Sequence, residues 1–224
     1  MKNCIRLVLY FSGLFVIAVG INLAIISDLG VSPVSAFTVP LSQITGIRLG
    51  LVTDVVYIGF VLIEICLLGK RFRIKNLLQV PFSSVFGFFI DYTGMVLSGF
   101  IHPETYFAKL ALTFAGVLVC AVGAAVYILM DVVPNPPEGL LLAICERFRL
   151  PFGRVKIVSD CTFVAIGIVI SLVFAGQVTA IREGTVIAAL LTGSAISIVT
   201  RAAGPALKRL AFASENTQKD SIPA

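Results

Sequence analysis

The residues of this chain that could do chemistry are carboxylates, because several stand inside segments otherwise too apolar to hold them. Asp91 lies 14 residues beyond Leu77, about 21 Å along a helix. Asp54 falls one and a half turns into an apolar run starting near residue 49, and Asp160 one turn into a run starting near 157. An ionised carboxylate in lipid is costly unless it faces water, meets a cation or takes up a proton. Each is therefore a candidate for binding a solute or carrying a proton. Asp160 has Lys156 four residues earlier and can pair with it along a helix. Glu64 is followed closely by Lys70 and Arg71, so it is expected to snorkel to the membrane surface.

A second group of candidates sits where apolar runs break. SDLGVSP, residues 27–33, supplies Asp28, Gly30 for unusual backbone angles, Ser32 as an expected helix cap and Pro33 for a first turn. A short helix to about residue 45, kinked or ended near Pro40, should follow. VVPNPPEGLLLAICERF repeats the device, with Asp131 before it, Asn135 as cap, Pro136 and Pro137 opening the helix and Glu138 in its first turn. The N–H ends of two such half-helices could face an anion or carboxylate; as interfacial helices they would need no ligand. Arg182 and Glu183, before the last apolar run, can neutralise each other at a surface or gate a cavity.

These groups are positioned by a membrane. Apolar residues make up 58% of the chain and charged ones 13%, with mean hydropathy +1.03, which excludes a water-soluble domain. Apolar runs near 8–27, 49–68, 77–101, 107–130, 157–176 and 184–201 are long enough to cross a bilayer. The first is too long for a secretory signal and is expected to span. Of 17 basic residues, Arg48, Lys109 and Arg182 fall on one side and the rest on the other, which predicts cytoplasmic termini in a bacterial inner membrane. The basic residues lie in short clusters without a basic stripe, so nucleic acid is not an expected partner. The segment 202–224 turns polar and reads as a cytoplasmic tail beginning with a short basic helix.

The chain also repeats itself. GLFVIAVGINLAIISD (13–28) matches GVLVCAVGAAVYILMD (116–131) at an offset of 103, and 10 of the 40 ungapped pairs from 13 to 52 are identical. Gly13, Gly20, Asp28, Pro33 and Gly50 meet Gly116, Gly123, Asp131, Pro136 and Gly153. Three spans per copy, about 8–101 and 107–201, force the second copy to enter from the opposite side, the plan of many secondary transporters. The glycine spacing suits close helix packing within one chain or in a homodimer.

The order of SDLGVSP, GLVTD, GKRFRIK, FGRVKIVSDCTFVAIGI and REGT resembles the YczE/YitT-like family of bacterial integral membrane proteins over about residues 8–201. The resemblance implies a multi-span inner-membrane protein, with transport often presumed and some relatives tied to secondary-metabolite production. Where the family pattern is glycine-rich, this chain carries Arg182-Glu183-Gly184-Thr185.

The resulting expectation is an all-α single membrane domain, 1–201, of six spans in two inverted repeats with short broken helices after spans 1 and 4. Its function would be a small-solute permease with a cavity bounded by the breaks and by Asp28, Asp54, Asp91, Asp131 and Asp160, and with proton coupling through a carboxylate, Asp91 or Asp54 being the better candidates. The other reading is a scaffold anchoring a cytoplasmic biosynthetic assembly through basic loops. An enzyme is not expected: one histidine, His102, five scattered cysteines and no HExxH or phosphate-binding loop leave no catalytic, metal or cofactor motif.

Overall fold

The computed structural model describes residues 2–178 and 180–212. Eight helices follow in order among the described residues: α1 (Lys2–Ser27), α2 (Ser35–Thr45), α3 (Leu49–Leu68), α4 (Gln79–Ser98), α5 (Tyr106–Met130), α6 (Pro136–Phe148), α7 (Phe152–Ile170) and α8 (Glu183–Phe212). Short 3₁₀ turns at Gly69–Arg71 and Ile74–Leu78 join α3 to α4, and a π-helical turn, Ser171–Ala175, extends α7. Among the described residues, six stretches are long and apolar enough to cross a membrane: Cys4–Ser27, Leu49–Arg71, Ile74–Ser98, Tyr106–Met130, Phe152–Ala175 and Glu183–Leu207. They coincide with the six apolar runs, and α2 and α6 are the two short helices expected after spans 1 and 4. Helix α8 runs on to Phe212 without a break at 201; residues 213–224 of the expected tail lie outside the described residues.

The spine is α1 against α5, antiparallel. A Cβ on Gly13 would meet the Gly123 carbonyl at 2.8 Å, and one on Gly20 would meet that of Gly116 at 2.8 Å. Between these crossings the Cys120 thiol reaches the Ile17 carbonyl at 3.6 Å. Missing side chains let the two backbones touch, which supplies the van der Waals contact that lipid does not drive. The offset of 103 carries each of these glycine pairs onto the other. It also carries Ser27, Thr45 and Leu49, boundaries of α1, α2 and α3, onto Met130, Phe148 and Phe152 in α5, α6 and α7.

Around the spine, α4 lies beside α1, with the Asn22 amide donating to the Ile90 carbonyl at 2.9 Å and to the Thr93 hydroxyl at 2.8 Å. Helix α8 runs along α5, with Gly204 against Leu129. Since Arg6 reaches the Met130 carbonyl, the start of α1 and the end of α8 lie on one face.

The half-helices are exchanged: α2 seats on α7 and α6 on α3. Pro40 inside α2 has no N–H for the Ala36 carbonyl, and Gly167 of α7 presses against that carbonyl. At the equivalent place in the other half, Gly139 of α6 sits against Gln79 and Glu64, where a Cβ would meet their side-chain oxygens at 2.5 and 2.8 Å. Phe60 and Phe163, also 103 apart, stack at 5.5 Å where α3 passes α7.

One seam is not repeated. Helix α3 packs closely on α4 through Gly50 and Gly87, whereas α7 and α8 hardly touch. Leu190 stands where Gly87 would map, and Gly153, the counterpart of Gly50, has nothing within 4 Å. Asp54, Ser83, Ser84 and Asp91, which bind α3 to α4, are replaced by Ile157, Val186, Ile187 and Ser194.

Candidate functional site

The expected site residues do not converge on one cavity; the structure distributes them over four places. This corrects the expectation of a pocket bounded by all five aspartates, and the reason is that α1 alone separates Asp28 from the Arg6–Asp131 contact by its full length.

At one end, Asp28 closes α1 in the left-handed region, φ 55°, a conformation that Asp tolerates better than most residues. Its carboxylate takes Lys109 at 3.2 Å and Arg182 at 3.6 Å, and Arg182 also donates to the Asp28 carbonyl at 3.0 Å. Arg182 further pairs with Glu183 at 3.6 Å, and the Tyr106 hydroxyl donates to Glu183 at 3.4 Å. The expected Arg182–Glu183 pair is present, but it is part of a network holding the first break. The Gly184 N–H donates to the Leu29 carbonyl at 2.6 Å, and Gly30, at φ 116°, leaves no room for a Cβ beside Thr185. Ser32 does not cap α2, contrary to expectation. Val34 precedes the helix, and the Ser32 carbonyl accepts from Ala36 N while its hydroxyl donates to Ser35. Pro33 accordingly lies ahead of the helix, because the chain turns once more before α2 begins.

At the other end, Asp131 closes α5 in the left-handed region, φ 47°. Arg6 donates to the Met130 carbonyl at 2.8 Å and to the Asp131 carbonyl at 3.2 Å.

The third place is a groove of about 550 Å³ along α3 and α4, lined by Asp54, Asp91, Arg48, Asn22, Ser84 and Tyr92 among others. Asp54 accepts from the Ser83 and Ser84 hydroxyls, each at 2.9 Å. Asp91 accepts from the Gly50 N–H at 2.7 Å and pairs with Arg48 at 3.8 Å. Asp91 thus caps the start of α3 from the neighbouring helix, satisfying a donor the helix itself cannot.

The fourth place is enclosed by five helices. Asn135 precedes α6 and Pro136 opens it, as the Asn-Pro-Pro run predicts, with Glu138 in the first turn. Glu138 faces Tyr10 of α1, Tyr57 of α3 and Tyr127 of α5, and the Tyr127 hydroxyl approaches its carboxyl. Glu138 Oε2 is buried and has no hydrogen-bond partner among the described residues. The Asn135 side chain lies near the Tyr57 hydroxyl. Lys156 of α7, the cation near Glu138, pairs with Asp160 at 2.7 Å, the i, i+4 pair expected from sequence.

Sequence reasoning missed two parts of this region. Glu64 does not snorkel: it is 1% exposed, and accepts from Asn76 at 2.7 Å and from Gln79 at 2.9 Å. The Asn76 and Gln79 amides hold it inward, and Gly139 of α6, without a side chain, leaves space for the pair. The three tyrosines gave no signal, since an aromatic in a membrane helix reads alike whether it faces lipid or core.

A polytopic, all-helical membrane protein with polar groups folded into its interior is the class these features define. Residues 4–201 match the family described as a family of unknown function, DUF6198, and the chain belongs to it. Two relatives from Bacillus subtilis (strain 168) are similar along most of their length. The uncharacterized membrane protein YczE is 27% identical over 195 residues, covering 84% of this chain and 82% of its own. The uncharacterized protein YyaS is 25% identical over 189 residues, covering 84% of this chain and 89% of its own. The YczE-like kinship expected from the order of motifs is confirmed. No solved structure matches the chain.

Proposed function

We propose that this protein is a small-solute permease of the bacterial inner membrane, built as two inverted copies of a four-helix unit, with both termini in the cytoplasm. The observation that carries the reading is the exchange of half-helices around a polar centre. Helices α2 and α6 each pack more extensively on the other copy than on their own, and α6 brings into that centre a carboxyl oxygen with no hydrogen-bond partner among the described residues. Broken helices delivering polar groups to the interface of inverted copies are how secondary transporters form solute sites. The Asp28 and Asp131 breaks act as the two entrances, with Arg182 and Glu183 at the outer one. Asn135, Glu138 and Asp160 line the inner approach, while Asp54 and Asp91 line the side groove.

The experiment is a thermal-shift screen of detergent-purified protein against a metabolite panel, followed by uptake of each hit in proteoliposomes. A bound solute raises apparent stability by mass action. The expected result is a hit that is also transported and that loses both effects in Glu138→Gln. Hits that bind without crossing the membrane, or transport untouched by Glu138→Gln, overturn the reading.

A further inference from the structure

We propose that Glu138 is a proton-binding group, the residue through which this protein takes up and releases H⁺. Calling it the coupling site rests on the permease reading; proton binding itself does not.

The groups facing α6 are Tyr10 from α1, Tyr57 and Glu64 from α3, Gln79 from α4, Tyr127 from α5, and Lys156 and Asp160 from α7. Lys156 is committed to Asp160 at 2.7 Å, and Glu64 is held by the neutral amides of Asn76 and Gln79. One ammonium therefore stands near both Asp160 and Glu138, and Oε2 of Glu138 has no hydrogen-bond partner among the described residues. A carboxyl in such a place is stable as the neutral acid, because burying an unpaired charge costs more than phenol hydroxyls return.

The same position also favours the charged form once water arrives. Glu138 stands in the first turn of α6, where its own N–H and the helix dipole favour an anion, Pro136 and Pro137 having no N–H to offer. The segment leading into it begins at the Asp131 turn, which Arg6 holds by two carbonyls. Closed, the site keeps its proton; opened on that face, it releases it. The equivalent residue in the first half is Ser35, so each chain carries one such site.

The chain offers its own reporter. It contains no tryptophan and five tyrosines, three of which face Glu138, and a carboxylate beside a phenol quenches its emission. Tyrosine fluorescence of purified protein would be titrated between about pH 4 and 9, the range open to buried carboxyls. The expected result is a single one-proton transition, with emission falling as pH rises, retained when Tyr92 and Tyr106 are both changed to Phe and absent in Glu138→Gln. Glu138→Asp, provided as a second variant in case the amide fails to fold, should keep the transition at a displaced midpoint. A flat wild-type titration, or a transition unchanged in both Glu138 variants, overturns the proposal. A titrating Glu138 in a protein that moves no solute overturns the permease reading alone, and solute transport beside a Glu138 that does not titrate overturns the proton site alone.

Discussion

Arg6 and Lys109 stand 103 positions apart and perform matching tasks at opposite ends of the α1–α5 pair. Arg6 on α1 holds the turn after α5 by the carbonyls of Met130 and Asp131, and Lys109 on α5 holds the turn after α1 by the carboxylate of Asp28. Each helix fastens the break that follows the other, so the two faces of the molecule carry separate latches.

Separate latches should open separately. In a cysteine-free background, Asn135→Cys is expected to react slowly with a small thiol reagent. Arg6→Met should speed it about tenfold, equivalent to ~1.4 kcal/mol of opening free energy, while Lys109→Met leaves it unchanged. Ser32→Cys should show the reverse dependence. Equal acceleration of either cysteine by both variants would mean that the ends are coupled through one latch.

Gly50 and Gly153 stand 103 positions apart in unlike surroundings. Gly50→Ala drives a methyl into the Gly87 backbone, and overpacking of this kind costs about 1–3 kcal/mol. Gly153→Ala meets nothing within 4 Å. Thermal unfolding in detergent should show a lowered midpoint for the first and none for the second; equal effects would contradict the unequal seams.

Asp91 is the clearest case of a carboxylate whose structural task is now visible. Asp91→Asn keeps an oxygen for the Gly50 N–H, 2.7 Å away in the native protein, and should leave stability within error. Asp91→Leu removes the cap, at a cost of about 1 kcal/mol or more. Circular-dichroism melting of the two variants separates them. An Asn variant as unstable as Leu would show that the pairing with Arg48, not the cap, is what α3 requires.

How much of this was legible beforehand follows from what hydrophobicity can encode. The six spans were readable because a bilayer imposes a minimum apolar length, and the breaks because Asp28, Gly30 and the Asn-Pro-Pro run have few other uses. The offset of 103 was readable because glycine and proline are costly to place at random. Helix partners were not: lipid and protein interior are equally apolar, so nothing in the composition of α7 says that it receives α2. Glu64 was misread for the same reason. Its proximity to Lys70 and Arg71 in sequence suggested the surface, while the space that admits it beside Asn76 and Gln79 is left by Gly139, 75 residues further on. Ser32 failed as a cap because cap chemistry names a residue type and leaves its register to the turn.

The traded half-helices also dictate an order of biogenesis. Helix α2 leaves the ribosome more than a hundred residues before α7, the surface it rests on, is made. Until then the amino-terminal half must wait with a polar, proline-bearing segment unhoused, shielded by lipid headgroups or by an insertase. Synthesised as two fragments divided near residue 103, the protein would gain native form only when both are present together, each lodging the other's stray helix.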